Sequence, residues 1–390
     1  ASFPFSAGDK VAKLMPPMIL GNTATLGECL QLDEENNSGY SKEFYTASSE
    51  LRNQYKNDEE VKRIIDIALG LEGLRRQDGI HAAAVVISPE AITNYLPVQK
   101  KGKDAELVTQ FEMHTVEQLG LLKMDFLGLR NLSIIDRTVE LINNEDFNID
   151  EIPLDDKKTF ELFSTGRMIG VFQLESRIAQ ITSRSLKPTR FEEIVALVAL
   201  IRPGPLGANM HIEFADRATG KKEIEFLHTD LKEILEETYG VILYQEQVMQ
   251  IAQKISAFQL DEADDLRKAM GKKIPKVMEQ QRKKFTDGAI SNGYSEQFSI
   301  ELFDQIAFFA GYGFNKSHSV PYALIAYQTA FLKANHPAEY LSACLTAVKR
   351  DKDRTAIFLA EARELGVNVK TPDINLSIED FSVANGEILF

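Results

Sequence analysis

The chain has 390 residues, 44% of them hydrophobic, with two cysteines and a formal net charge of -14. That length suggests two or three domains with a sizeable core, and no apolar run reaches the roughly 18 residues of a membrane span. The overall charge is wrong for a chain that is basic throughout to hold phosphates, the first residues lack the order of a signal peptide, and Cys29 and Cys344 match no metal-ligand spacing, so a reducing, cytoplasmic setting is expected.

The first seventy or so residues are polar with helical spacing. In NDEEVKRIIDIALGLEGL the apolar positions Val61, Ile64, Ile65, Ala68 and Leu69 share one helix face, and Asn57 with Glu60 resembles a capping box. The texture changes near residue 73. HAAAVVIS, LVTQFEM and LLKMDFL are short β-branched or apolar runs set apart by turns. They predict strands of one sheet over 81–88, 106–112 and 120–127. From Arg130 onward NLSIIDRTVELINN, LKPTRFEEIVALVALI, YQEQVMQIAQKISAF, DEADDLRKAM and VPYALIAYQTAFLKA carry helical periodicity, punctuated by Pro and Gly. The expected class is therefore α+β with segregated elements. Residues 267–284 hold eight basic residues and one acidic one, either a basic face or a solvated helix surface.

Four stretches could carry chemistry. In GLLKMDFLGL, Asp125 is a carboxylate in an apolar run, costly unless compensated. At a strand end it could hold magnesium, which takes one or two carboxylates plus substrate phosphates. It could equally be paired with a Lys or Arg, or point to solvent while Met124 and Phe126 face a core. In IRPGPLG, proline pushes Arg202 out of helical geometry, and a guanidinium on a stiff turn suits phosphate as well as it suits a helix C-terminus. In AGYGFNKSHSVPYALIAY, Lys316 and His318 stand at the head of a helix that Ser317 or Ser319 could cap. That is an anion site in outline, or an ordinary glycine turn; the phosphate-loop spacing is absent. In YGVILYQEQVMQI, Tyr244 and Gln245 mark the passage from a short apolar strand to a helix, where a tyrosine could stack on a base or fill the core. There is no G-x-S-x-G or H-E-x-x-H, and the six histidines do not cluster.

Together these segments resemble the bacterial family C replicative DNA polymerases, the α subunits of DNA polymerase III. The resemblance rests on KLMPP (13–17), GIHAAAVVISP (79–89), TQFEM (109–113) and LLKMDFLGLRNLSII (121–135). It continues in GVFQLES (170–176), LVALIRPGPL (197–206), YGVILYQEQVMQIA (239–252), LRKAMGKK (266–273) and FAGYGFNKSHS (309–319). It implies a helical thumb-like region at 1–72, the C-terminal part of a polymerase-β-like nucleotidyltransferase palm at 73–129 and mostly helical fingers at 130–390. It implies DNA-directed DNA polymerase activity with two Mg2+ ions, and Asp125 as the third of three catalytic aspartates. Triphosphate and template contacts would fall to Arg202, Lys316 and His318, and less securely to Tyr244, Gln245, Lys272 and Lys273. His81 and Arg76 match palm positions near the site. Primer–template DNA and deoxynucleoside triphosphates are the implied substrates, with a sliding clamp, a clamp loader and a proofreading exonuclease as partners, mainly through regions absent here. The chain departs from the family pattern in having no Pro-Asp-Phe-Asp-type motif, the source of the first two aspartates. The expectation is an internal segment that does not extend primers alone. A non-catalytic DNA- or nucleotide-binding paralogue is the alternative, and a different magnesium-dependent phosphotransferase a weaker one.

Overall fold

The computed structural model describes residues 3–18, 23–31, 41–74, 77–100, 106–272, 275–310 and 313–390. The chain divides into two units, Ala1–Leu129 and Arg130–Phe390.

The first unit opens with α1 (Phe5–Ala12), α2 (Leu26–Leu30), α3 (Ser41–Ala47), α4 (Ser49–Asn57) and α5 (Glu59–Leu71). Their apolar stripes supply Val11, Cys29, Leu51, Val61 and Ile65 to one small core. Asp58, not Asn57, caps α5: its carboxylate accepts hydrogen bonds from the Glu60 and Val61 amides. Asn57 is still the last residue of α4, and Asp58 has the extended backbone that a cap requires.

Next come β1 (Ala84–Ile87), β2 (Val98–Lys100), β3 (Leu107–Thr109), α6 (Met113–Gln118) and β4 (Leu122–Asp125). The expected single sheet is instead two antiparallel ladders, β1 with β4 and β2 with β3. The reason is α6, begun by Glu112, whose carboxylate accepts from the His114 and Thr115 amides. It turns the chain between β3 and β4, so these strands do not become neighbours. β2 is too short to show a period in the sequence, and only its pairing with β3 makes it a strand. Leu96, Val116 and Leu121 form the core under the β1–β4 ladder, with Val86 against it.

The second unit is helical: α7 (Arg130–Ile142), α8 (Lys157–Thr165), α9 (Arg177–Leu186), α10 (Phe191–Leu200), α11 (Pro203–Gly207), α12 (Met210–Ala218), α13 (Lys232–Leu235), α14 (Gln245–Ser256), α15 (Leu260–Lys272), α16 (Pro275–Ser291), α17 (Glu296–Ala310), α18 (Lys316–Asn335), α19 (Pro337–Val348) and α20 (Lys352–Glu364). A short hairpin, β5 (Ser382–Ala384) and β6 (Glu387–Leu389), follows them. Three cores organise these helices. One joins α8, α9, α10 and α12 to the stretch of α18 from Ala323 to Phe331. The second lies among α14 to α17. The third joins α7, α19, α20 and the hairpin to Leu332 of α18. α18 is buried on every side from Ala323 to Lys333 apart from Leu324 and Ile325, as a helix must be when neighbours surround it. Its head therefore cannot tilt freely, and the residues there are held in place.

Candidate functional site

Two places gather the residues singled out above, one in each unit. In the first unit the β1–β4 register sets the geometry. Ala84 opposes Asp125 and Val86 opposes Lys123 on one face, while Val85 opposes Met124 and Ile87 opposes Leu122 on the other. Val86 points to the small core, so Lys123 shares the covered face and its side chain is only 17% exposed. The expected alternation is thus reversed: Met124 and Phe126 are 39% and 63% exposed rather than core residues. The physical cause is the thinness of the unit, whose few buried apolar groups cover one face of a two-stranded ladder and not both.

Asp125 ends β4. Its Oδ1 lies 2.7 Å from Lys123 Nζ and 3.9 Å from His81 Nδ1. His81 Nδ1 also accepts the Ala83 amide proton at 3.2 Å. The lysine hydrogen bond, aided by the lysine charge and by His81, holds the Asp125 carboxyl below its ordinary pKa of 3.8, against a smaller opposing effect of burial. Asp125 is thus an ionised carboxylate already matched by an internal cation, with His81 beside it. Arg76 lies outside the described residues. No group of three or more His, Cys, Asp or Glu that could hold a metal occurs among the described residues. The residues present therefore do not themselves fit a two-ion magnesium centre, which needs several oxygen ligands.

The second place is the head of α18. Residues 243–245 and 313–315 run side by side: the Phe314 amide donates to Leu243 O at 3.1 Å and the Gln245 amide to Phe314 O at 2.9 Å, forming a single parallel bridge from Tyr244 to Phe314. The expected apolar strand before Tyr244 is therefore an extended segment with one bridge. Gln247 fixes it, accepting from the Leu243 and Tyr244 amides at 2.8 and 2.9 Å. Gln245 Nε2 donates to Gly313 O at 3.1 Å, and its Oε1 accepts from Arg267 of α15 at 3.4 Å. Asn315, not Ser317 or Ser319, caps α18 by accepting the His318 amide proton at 2.7 Å. Both serines already lie inside the helix, and Ser319 Oγ donates to Val195 O at 2.7 Å.

Arg202 has the extended backbone that its following proline predicts. Its guanidinium lies 4.5 Å from the Phe314 ring centre, and it forms no ion pair among the described residues. Phe314 meets His318 edge-on at 5.5 Å, and His318 packs on Tyr322 at 4.4 Å. The result is a layer of cation, ring, imidazole and ring. Lys316 is already engaged: Nζ is 2.6 Å from Glu237 Oε2 and 5.5 Å above the Tyr244 ring. Its amide donates to both Glu246 carboxylate oxygens, at 3.0 and 2.9 Å. An anion was expected at this helix N-terminus, and the chain supplies it as Glu246. Tyr244 is buried with its hydroxyl unpartnered, and burial pushes its pKa far up.

Tertiary structure thus brings Arg202, Tyr244, Gln245, Lys316 and His318 together. Lys272 ends α15 and its side chain lies outside the described residues, as does Lys273. Phe314, Arg267, Glu237 and Glu246 belong to the same cluster and were not foreseen. Phe314 sits inside a quoted motif, but nothing local marks Glu237 or Glu246 as partners of a lysine 70 or more residues away. The basic stretch 267–284 is partly compensated. Arg267 and Lys268 pair with Asp264, Lys284 with Glu262 and Arg282 with Asp304.

The sequence relatives agree with this two-part layout. Residues 3–128 match the family described as the bacterial DNA polymerase III alpha NTPase domain, and residues 131–293 match the bacterial DNA polymerase III alpha subunit finger domain. Among curated relatives, the DNA polymerase III subunit alpha of Mycobacterium tuberculosis is 42% identical over 393 residues, covering 99% of this chain and 32% of the relative. That of Buchnera aphidicola is 47% identical over 362 residues, covering 90% and 31%. That of Escherichia coli K12 is 42% identical over 400 residues, covering 99% and 33%. The chain spans about a third of the length of these relatives. With matches that run from the helical start through the Asp125 strand and into the helices around Arg202, this chain belongs to the bacterial DNA polymerase III α-subunit family.

Proposed function

We propose that the chain is part of a cytoplasmic replicative DNA polymerase that adds deoxynucleotides to a primer 3′ end. The observation that carries this reading is the gathering of Arg202 and His318 on Phe314, with Lys316 over Tyr244, the residue bridged to Phe314, in a chain of this family. Residues 1–72 serve as thumb, 73–129 as part of the palm and 130–390 as fingers. Arg202, without an ion pair among the described residues and fixed by its turn, neutralises triphosphate charge. Lys316 does the same once phosphate replaces Glu237 on its ammonium. Phe314 and His318 offer a flat surface to a base, and Tyr244 and Gln245 hold that surface in place. Lys272 and Lys273 are proposed as further triphosphate and template contacts and Arg76 as a palm residue near the site, though Arg76, Lys273 and the Lys272 side chain lie outside the described residues.

Two magnesium ions are the metal we propose for the intact enzyme, where they would supply charge stabilisation during nucleotidyl transfer. Asp125 would be one of the carboxylates that hold them, with His81 beside it, and the described residues do not supply the remaining ligands. Primer–template DNA, deoxynucleoside triphosphates, a sliding clamp, a clamp loader and a proofreading exonuclease are the proposed partners. A non-catalytic DNA- or nucleotide-binding paralogue is the second reading, favoured by the Lys123–Asp125 pair, in which the carboxylate is satisfied without metal.

Primer extension separates the two. In the full-length protein, Asp125→Asn is expected to cut extension by about a hundredfold or more, and Lys316→Ala to raise the nucleotide KM. The 390-residue chain alone is expected to show no extension. A full-length Asp125→Asn protein that extends primers at the wild-type rate removes Asp125 from the mechanism, and a full-length wild type that binds primer–template without extending it favours the paralogue.

A further inference from the structure

A cleft of about 1070 Å³ lies in the second unit between α12 and α17 and shares no residue with the stack around Phe314. It forms where two cores meet. α12 belongs to the first core through Met210 and Phe214, and α17 to the second through Leu302, Phe303 and Ile306. The floor is Gly240, Val241 and Ile242.

The outer wall is one face of α17. Ser299, Leu302, Phe303 and Ile306 point into the core, so Glu296, Ile300, Asp304 and Phe308, spaced four apart, make a continuous stripe toward the cleft, with Glu301 beside it. Ile300 and Phe308 are 37% and 56% exposed. The charges are uneven. Glu213 on the α12 wall is answered by Arg217 and Lys222, and Asp304 by Arg282. Glu296 and Glu301 form no ion pair among the described residues.

We propose that this cleft is a docking groove for a basic amphipathic helix of a protein partner. The exposed apolar stripe suits the apolar face of a helix. The wall is 15 residues long, about 22 Å at the α-helical rise and hence four turns of contact. The unanswered carboxylates decide the partner's class. They repel the phosphates of a nucleic acid and attract Lys or Arg flanking the apolar positions, which sets orientation and encounter rate. The groove therefore gives a nucleic-acid enzyme a surface reserved for protein.

The test uses the 390-residue chain and a fluorescein-labelled helical peptide of about 18 residues, with Leu at i and i+4 positions and Lys on either side. A matched peptide carries Glu in place of Lys. Fluorescence anisotropy at low salt is expected to show saturable binding of the Lys peptide and none of the Glu peptide. Two reversed rim charges, Glu296→Lys with Glu301→Lys, weaken binding by about tenfold or more. Phe308→Ser weakens it by about fivefold or more through lost apolar contact. Glu161→Lys with Glu364→Lys, an equal charge change on exposed residues elsewhere, leaves it within about twofold. All five positions are exposed, and circular dichroism checks that the fold is kept. Equal weakening by the remote pair, or unchanged binding in Phe308→Ser, reduces the effect to attraction by an acidic protein and overturns the proposal. Displacement of the peptide by unlabelled primer–template DNA assigns the cleft to nucleic acid and overturns it too.

Discussion

At the scale of single residues, Lys123 decides the state of Asp125. The two lie two positions apart on one strand, so their side chains project to the same face, and the ammonium reaches Oδ1 at 2.7 Å. Because Asp125 is depressed below 3.8, its contribution to stability is present above that pH and is lost as pH falls through the depressed value. The pair is solvent-screened, so the contribution is small. Removing the lysine charge with Lys123→Met is expected to raise the Asp125 titration midpoint toward 3.8, followed by carboxyl carbon NMR against pH. An unshifted midpoint would show that Lys123 does not hold this carboxylate. The sequence places both residues on one strand face, and so offers the lysine pair as one of its readings. It does not say that Lys123 is the covered member and Met124 the exposed one, because that depends on which face finds a core.

At the scale of elements, turns and helix heads are closed by contacts that sequence patterns mislocate by one to four residues. Asp58 and Asn315 cap α5 and α18, where the patterns pointed to Asn57 and to Ser317 or Ser319. The capping residue is whichever polar side chain has extended backbone at the boundary, and the boundary is set by packing. Gly240 shows the same dependence on neighbours. Its φ is +80°, and a Cβ there would lie 2.7 Å from both Arg217 Nη1 and Glu225 O. Gly220 has a similar φ of +71° with nothing within 4 Å. Gly220→Ala is expected to cost about 1 kcal/mol from backbone conformation alone. Gly240→Ala should cost about 2–3 kcal/mol or more, since Arg217 must also give up its hydrogen bond to Tyr239 O. Urea denaturation midpoints compare the two. Equal losses would mean that the Arg217 contact adds nothing.

At the scale of the whole second unit, α18 is the axis and Lys333 its fastening. The Lys333 side chain is fully buried, 2.7 Å from Glu361 of α20, and it donates to the carbonyls of Arg167 and Ile169 at 2.7 Å each. Burial lowers its pKa, opposed by the Glu361 charge. The contacts tie the 167–169 turn and α20 to α18. Lys333→Met leaves a buried carboxylate without its cation and should cost about 3–5 kcal/mol. Adding Glu361→Leu should recover part of that loss, not all, because two carbonyls stay unpaired. Full recovery in urea melts would show that those carbonyl bonds contribute nothing.

The sequence by itself determined where α7, α10, α14, α15 and α18 run, which family the chain resembles, and that Asp125, Arg202, Lys316 and His318 are worth following. Those signals are local: side-chain period, proline geometry and ordered motifs are complete within about a dozen residues. Only the tertiary structure decided that one sheet is two ladders, that Glu246 fills the head of α18, that Glu237 holds Lys316 and that a lysine fastens the core. Each of these joins groups far apart in the chain. Which of many chemically equivalent partners meets a given lysine or strand is set by how helices and turns pack, and no short stretch of sequence contains that information.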